Sequence, residues 1–304
     1  MRRLYRAVAV AAVWCLLAPV AWAQDSEETL REQARARQAE AEPQPDGTFV
    51  ISDEAQILGG AAGLLFVGVD DTTVSTYVID PADNNTQPAF SGSEVWGAAV
   101  IPGASPGDAV VYFHSGSSLY RWQHPGVPEL CCSLTFGGAT SSMVSMAYDP
   151  TAGELLFTKN ISVEAVYSLP VTAGACPATC DVTQEWTYDS TANDFGGIAL
   201  DPATGTLYGT NDTGGSVDIL NPDGTTTFVV DYPAGQSDID GLAFGNGKLY
   251  LVIDEPGDIF VYDVAGATWD PPLTNPWTTA EIFSGAGFGE GLFIPVELQS
   301  LSVE

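Results

Sequence analysis

The acidic side chains are the residues best placed to do chemistry in this chain, because they recur at matched positions of a repeated pattern. Aligning the copies puts Glu94, Ser142, Asp194, Asp238 and Phe288 in one column, with Trp96, Val144, Gly196, Asp240 and Glu290 two residues later. Period-two alternation turns both columns to the same side of a strand, so five carboxylates, Glu94, Asp194, Asp238, Asp240 and Glu290, are expected to converge. Asp70-Asp71, Asn211-Asp212 and Asp254-Glu255 fall in loops on that same face. Crowded carboxylates repel one another unless they are hydrated, partly protonated or neutralised by a cation. Ca²⁺ suits such a set, since it takes oxygen ligands in flexible geometry from several chain segments. The five are therefore candidate metal ligands, and with Trp96 they form a candidate ligand-binding set. The competing reading is a solvated acidic rim that only discourages association.

Other chemistries find less support. There are two histidines. His114 is expected in a loop after a second strand, in the column of Asn160 and Asp212, and His124 in a turn after a third strand, at the opposite end of a blade. The two rings should not meet. No Gly-x-Ser-x-Gly elbow surrounds any serine, so a hydrolase triad has no motif behind it. Cys131 and Cys132 are adjacent, and Cys176 and Cys180 flank Pro-Ala-Thr. Cys-x3-Cys can ligate zinc, but the vicinal partner pair and the lack of a helping histidine favour disulfides between neighbouring blades. Four cysteines allow three pairings, and the sequence does not choose among them.

The elements that must position these groups follow from self-comparison. Phe195-Gly-Gly-Ile-Ala-Leu-Asp-Pro-Ala-Thr-Gly-Thr-Leu-Tyr208 matches Met143-Val-Ser-Met-Ala-Tyr-Asp-Pro-Thr-Ala-Gly-Glu-Leu-Leu156. Diverged copies begin at Val95 and Ile239, and a fifth, Gly289-Glu-Gly-Leu-Phe-Ile294, lies near the C-terminus. Repeats roughly 40–50 residues long, filled with short strands, mark the blades of a β-propeller. Each unit reads as an innermost strand, a tight Asp-Pro-x-x-Gly turn, a second strand, a polar loop and two further strands. The first unit, from Leu64, lacks its innermost strand, while the C-terminal copy has nothing else. Joined, they make a composite blade that closes the ring and leaves no open edge there. This yields an all-β propeller of five four-stranded blades, or six if residues 48–61 and 295–304 hide a degenerate one.

The run Gly-Ile-Ala-Leu-Asp-Pro-Ala-Thr-Gly-Thr-Leu-Tyr resembles the repeats of secreted bacterial β-propellers of the YVTN and NHL-like kind, over about residues 60–296. The resemblance implies the fold. Such propellers serve as ligand-binding scaffolds, lactonase-like enzymes and envelope components alike, so it transfers no catalytic residue.

The ends of the chain and its charge complete the reading. Arg2, Arg3 and Arg6, an apolar stretch from Ala7 to Val20 and Ala21-Trp22-Ala23 read as a signal peptide over residues 1–23, cleaved before Gln24. The protein is thus expected to be secreted or periplasmic. Residues 24–48 are polar, with too few large apolar groups to offset their ordering, and read as a disordered linker before a propeller domain over 49–304. No later stretch approaches the length of a membrane span. In 49–304 the acidic residues number 32 against three basic ones, Arg121, Lys159 and Lys248, and the whole chain carries −30. That balance excludes nucleic acid as a partner. It favours a monomer that accumulates cations. The leading functional expectation is a non-enzymatic binding or scaffold protein that meets a small molecule or a protein at the acidic face, with Trp96 and Trp122 as further possible contacts. Its rival is a Ca²⁺-dependent hydrolase of lactonase or esterase type with one of the same carboxylates as base, and a weaker third reading is a surface-layer or adhesion component.

Overall fold

The computed structural model describes residues 63–105, 107–159, 163–172, 174–253, 258–277 and 283–293. The segments read as signal peptide and linker, residues 1–48, and Asn160, Asp254, Glu255 and the stretch from Pro295 onward lie outside them. The described elements are all strands. β1 (Leu64–Val69), β2 (Tyr77–Asp80) and β3 (Asn85–Pro88) are followed by β4 (Gly97–Ile101), β5 (Val110–His114), β6 (Ser118–Trp122) and β7 (Glu129–Ser133). A short hairpin, β8 (Thr135–Phe136) and β9 (Ala139–Thr140), precedes β10 (Met146–Asp149), β11 (Glu154–Thr158), β12 (Ala165–Pro170) and β13 (Asp181–Thr187). Next come β14 (Phe195–Asp201), β15 (Thr206–Asn211), β16 (Ser216–Leu220) and β17 (Thr226–Asp231). The chain ends with β18 (Gly241–Gly245), β19 (Lys248–Val252), β20 (Asp258–Asp263), β21 (Thr268–Thr274) and β22 (Ser284–Gly289).

These strands form five antiparallel blades of four, β4 to β7, β10 to β13, β14 to β17, β18 to β21, and a composite blade ordered β22-β1-β2-β3. The innermost strands β22, β4, β10, β14 and β18 touch in that order and close the circle, giving a five-bladed β-propeller. The alternative of six blades does not arise. The hairpin β8–β9 adds to the β10–β13 blade through a parallel pairing of β8 with β13, an extension the repeat pattern did not foretell.

Burial explains the sequence pattern. Each second strand is covered on both faces by neighbouring blades, so LLFVGV of β1 is buried at every position and ELLFT of β11 at all but its first. Outer strands face water, and TTFVVD of β17 is exposed or half-buried throughout. The core is divided into clusters between blades, such as Phe66 with Val111, Phe113 and Trp122, or Leu242, Leu249 and Leu251 with Tyr208. A polar link crosses one of these joints, where the amide of Ile198 donates to Ser145 Oγ at 2.7 Å. The repeated turn after the innermost strand also has its physical reason. Asp201 Oδ1 accepts the Ala203 amide at 2.9 Å, its carbonyl accepts the Gly205 amide at 2.8 Å, and Gly205 takes φ +74°, which a side chain would oppose.

Two expectations need correction. The innermost strand of the composite blade is Ser284–Gly289, antiparallel to β1, and not a strand starting at Gly289. Glu290 and Gly291, with φ +78° at the glycine, turn away after it, so Phe288 and Glu290 lie at the opposite end of the channel from Asp238 and Asp240. Near the shared axis this strand must be narrow: a Cβ on Gly285 would lie 2.8 Å from Val95 Cγ1, and one on Gly289 2.4 Å from Val100 Cγ1. Gly287 therefore stands where other copies carry alanine, and the motif is hard to see. The second correction is His114, which ends β5 opposite Gly97 and is fully buried, in register with Thr158 and Thr210, not with Asp212. Two disulfides, Cys131–Cys176 and Cys132–Cys180, join β7 of one blade to the segment before β13 of the next, as inter-blade links.

Candidate functional site

Two loops bring three carboxylates together where the innermost strands begin. Asp212 follows β15, and Asp238 and Asp240 run directly into β18 of the next blade. One oxygen from each lies within 4.8 Å of the other two, close enough for one metal ion. Asp212 is anchored from two sides: its Oδ1 accepts the Tyr232 hydroxyl at 2.7 Å and the Ile239 amide at 3.3 Å. Asp240 is buried, and its position depends on the preceding blade, since a Cβ on Gly196 would stand 2.7 Å from Asp240 Oδ1 and 2.8 Å from the Ile239 carbonyl oxygen. Gly196 and Asp240 occupy the same column of adjacent repeats. The empty side-chain space of one copy is thus where the carboxylate of the next one fits.

Further acids extend the group toward the β10–β13 blade. The Asp194 amide donates to Asn211 Oδ1 at 3.1 Å, and its own Oδ1 is buried without a hydrogen-bond partner among the described residues. Burial raises its pKa, and the charge of Asp238 adds to the effect. Glu164, buried just before β12, accepts the Phe195 amide at 3.2 Å. Burial pushes it up to about 7 against that hydrogen bond, with the Asp194 charge contributing. Asp212 is likewise pushed up to about 7, chiefly by burial and then by Asp238, against the hydroxyl of Tyr232. Burial and Asp212 in turn raise the Tyr232 phenol. The raised values express a crowd of like charges held partly out of water. Two of the three basic residues of the folded region are engaged elsewhere, Arg121 with Glu129 and Lys248 with Asp270, at the far ends of their strands.

The residues singled out by sequence are thus divided. Asp194, Asp238 and Asp240 come together. Glu94 is half-buried before β4, away from the three-carboxylate group, and Glu290 is exposed at the other mouth. Trp96 is held by packing: its ring stacks on Phe283 at 4.3 Å, and Gly116 leaves room beside it. Trp122 is buried among Phe66 and Phe90, with its indole N–H given to the Gly126 carbonyl. The candidate set overlooked Asp212 and Glu164. Asn211-Asp212 was recognisable as a loop on the correct face, but its distance to Asp238 depends on how two blades pack. Neither histidine joins the group. His114 Nδ1 accepts the Gly116 amide, and burial pushes the ring down to about 3 despite the nearby Ser145 carbonyl. His124 packs against Phe293 at the opposite end, with the rings 4.5 Å apart and tilted by 36°.

Chemically, the arrangement is an all-oxygen, hard-donor set able to hold a cation. No protein family and no curated protein sequence matches the chain. Among solved structures it is similar to the nidogen/laminin complex, with a TM-score of 0.52 and 13% identity over 77% of this chain and 100% of that one. Virginiamycin B lyase from Staphylococcus aureus gives a TM-score of 0.39 and 14% identity, covering 74% of each chain. TolB from Acinetobacter baumannii gives 0.43 and 14%, covering 71% of this chain and 53% of that one. The likeness is one of fold alone. Among the described residues no helix is long and apolar enough to cross a membrane.

Proposed function

We propose that the protein is an exported, non-enzymatic β-propeller that binds a small molecule or a protein at this acidic face, with Ca²⁺ held by Asp212, Asp238 and Asp240. The observation that carries the reading is the meeting of these three carboxylates across a blade joint, in space left by Gly196. Ca²⁺ is the cation of choice because the donors are all oxygen and come from two loops of adjacent blades, and because it takes six to eight ligands. Three side chains leave coordination positions for water and for oxygen atoms of a bound partner. The two disulfides support an oxidising compartment, as export through a signal peptide cleaved before Gln24 requires. Glu94 and Trp96 border the same face and are proposed as outer contacts. Glu290 is left out of the metal set.

A second reading has one feature in its favour. Asp194 Oδ1 is buried without a donor beside Asp238, as suits a general base, and a cation at Asp238 would polarise a carbonyl placed between them, as a lactonase or esterase needs. Thermal unfolding of the mature protein in Ca²⁺ and in chelator, followed by hydrolysis assays on lactones and aryl esters, decides between the two. A concentration about a hundredfold above Kd should stabilise by about 2.7 kcal/mol, a shift of about 5–10 °C for a domain of this size. The shift should vanish in Asp238→Asn and Asp240→Asn. No shift in the wild type sinks the metal site, and Ca²⁺-dependent turnover abolished by Asp194→Asn replaces the binding reading with the hydrolytic one.

A further inference from the structure

At the other end of the ring the five innermost strands surround a cavity of about 590 Å³. That volume lies within the usual range for small-molecule sites. Strand register puts one large apolar residue from each blade at the same level of its wall: Val100, Tyr148, Leu200, Phe244 and Phe288. All five line the cavity, and all but Val100 keep part of their surface exposed to it.

This collar is already in place. Phe288 stacks on Tyr250 at 5.5 Å and 8°, and Phe244 on Tyr208 at 5.6 Å and 11°, each ring held by the second strand of the preceding blade. Cβ atoms on Gly245 and Gly63 would fall 1.9 and 2.3 Å from atoms of the Phe288 ring, so those two glycines leave the slot it fills. Rings fixed in this way cost a ligand little ordering.

Charge selects the occupant. Among the described residues, Asp201 and Glu290 are the charged ones that line the cavity, and no lysine or arginine does. The turn after β10 adds Asp149, between the lining residues Tyr148 and Pro150, in a chain of net charge −30. An anion would meet repulsion, and a neutral apolar molecule would leave the rim without a partner. A cation on an apolar body satisfies both parts, with ring faces adding cation–π attraction. We propose that this end of the channel binds a small organic cation, an ammonium or guanidinium on an apolar body, with the body inside the collar of Tyr148, Leu200, Phe244 and Phe288 and the charge at Glu290 and Asp201. The site is separate from the acidic face and independent of its metal.

Calorimetric titration of the mature protein in chelator with 4-phenylbutylammonium, neutral 4-phenylbutanol and anionic 4-phenylbutyrate tests this. The ammonium should bind about fivefold more tightly than the alcohol, the advantage of one partly exposed charge pair, and the butyrate should not bind. Glu290→Gln alters an exposed turn and should remove most of the ammonium's advantage while leaving the alcohol unchanged. Phe244→Leu should weaken both, and Asp238→Asn, at the far mouth, should change neither. Equal affinity for the three probes, no binding of the ammonium, or binding lost in Asp238→Asn but kept in Glu290→Gln would overturn the proposal.

Discussion

Raising the pH from about 5 to about 8 in chelator should destabilise the folded protein through Asp212. The unfolded chain has already lost this proton near pH 4, whereas in the fold burial and Asp238 hold the group up to about 7. A raised folded pKa gives stability that is complete below the unfolded value and is lost as pH climbs through the folded one. Taken at face value, the part of this displacement from about pH 5 up to the folded value of about 7 corresponds to about 3 kcal/mol, at about 1.4 kcal/mol per pH unit. Asp212 is only partly buried and sits among Asp194, Asp238 and Asp240, so solvent reduces the measurable part to about 2 kcal/mol. Glu164 acts in the same direction. The neutral imidazole of His114, depressed to about 3 by burial, acts in the opposite one, because the unfolded chain takes up its proton below about pH 6.5. The diagnostic is therefore a difference, from urea unfolding of wild type and Asp212→Asn at constant ionic strength. Wild type should lose about 2 kcal/mol relative to the variant between the two pH values, and Ca²⁺ should restore it at the higher one. Parallel pH profiles for the two proteins would refute the crowded, desolvated carboxylate on which the site rests.

Gly196→Ala should leave the propeller folded at a cost of about 1–3 kcal/mol while abolishing stabilisation by Ca²⁺, because the new methyl meets Asp240 Oδ1 and the Ile239 carbonyl; paired melts with and without the ion check both parts. Gly245→Ala puts a methyl into the Phe288 ring and should destabilise by about 3 kcal/mol, with relief in Gly245→Ala/Phe288→Ala measurable as non-additivity in urea unfolding. Cys131→Ser/Cys176→Ser should cost less than about 1.5 kcal/mol, because Cys132–Cys180 still closes almost the same loop, and removing both bridges should cost about 4 kcal/mol for a loop of this length, as read from denaturant midpoints.

Several features needed only local chemistry and were legible in the residues themselves. The Asp201-Pro202-Ala203-Thr204-Gly205 turn, the buried second strands, the four-strand unit and closure by the two ends all follow from turn residues, alternation and a repeat that must bury both faces of every sheet. The C-terminal copy misled because Gly285, Ala286 and Gly287 carry so little hydrophobic signal, and the smallness of the two glycines answers to Val95 and Val100, far away in sequence. His114 was displaced from its expected column for a similar reason, a turn one copy made longer than the rest.

The sequence by itself determined the fold class, the strand order within each blade and the face on which Asp194, Asp238 and Asp240 lie. Tertiary structure alone decided that Asp212 and not Glu94 or Glu290 completes the three-carboxylate group, that Cys131 pairs with Cys176, and that five apolar side chains meet at the opposite mouth. The physical reason is one of range. Alternation and turn chemistry act over a few residues and are written into each repeat, whereas the distance between two carboxylates depends on the angle at which whole blades pack, which no single repeat encodes.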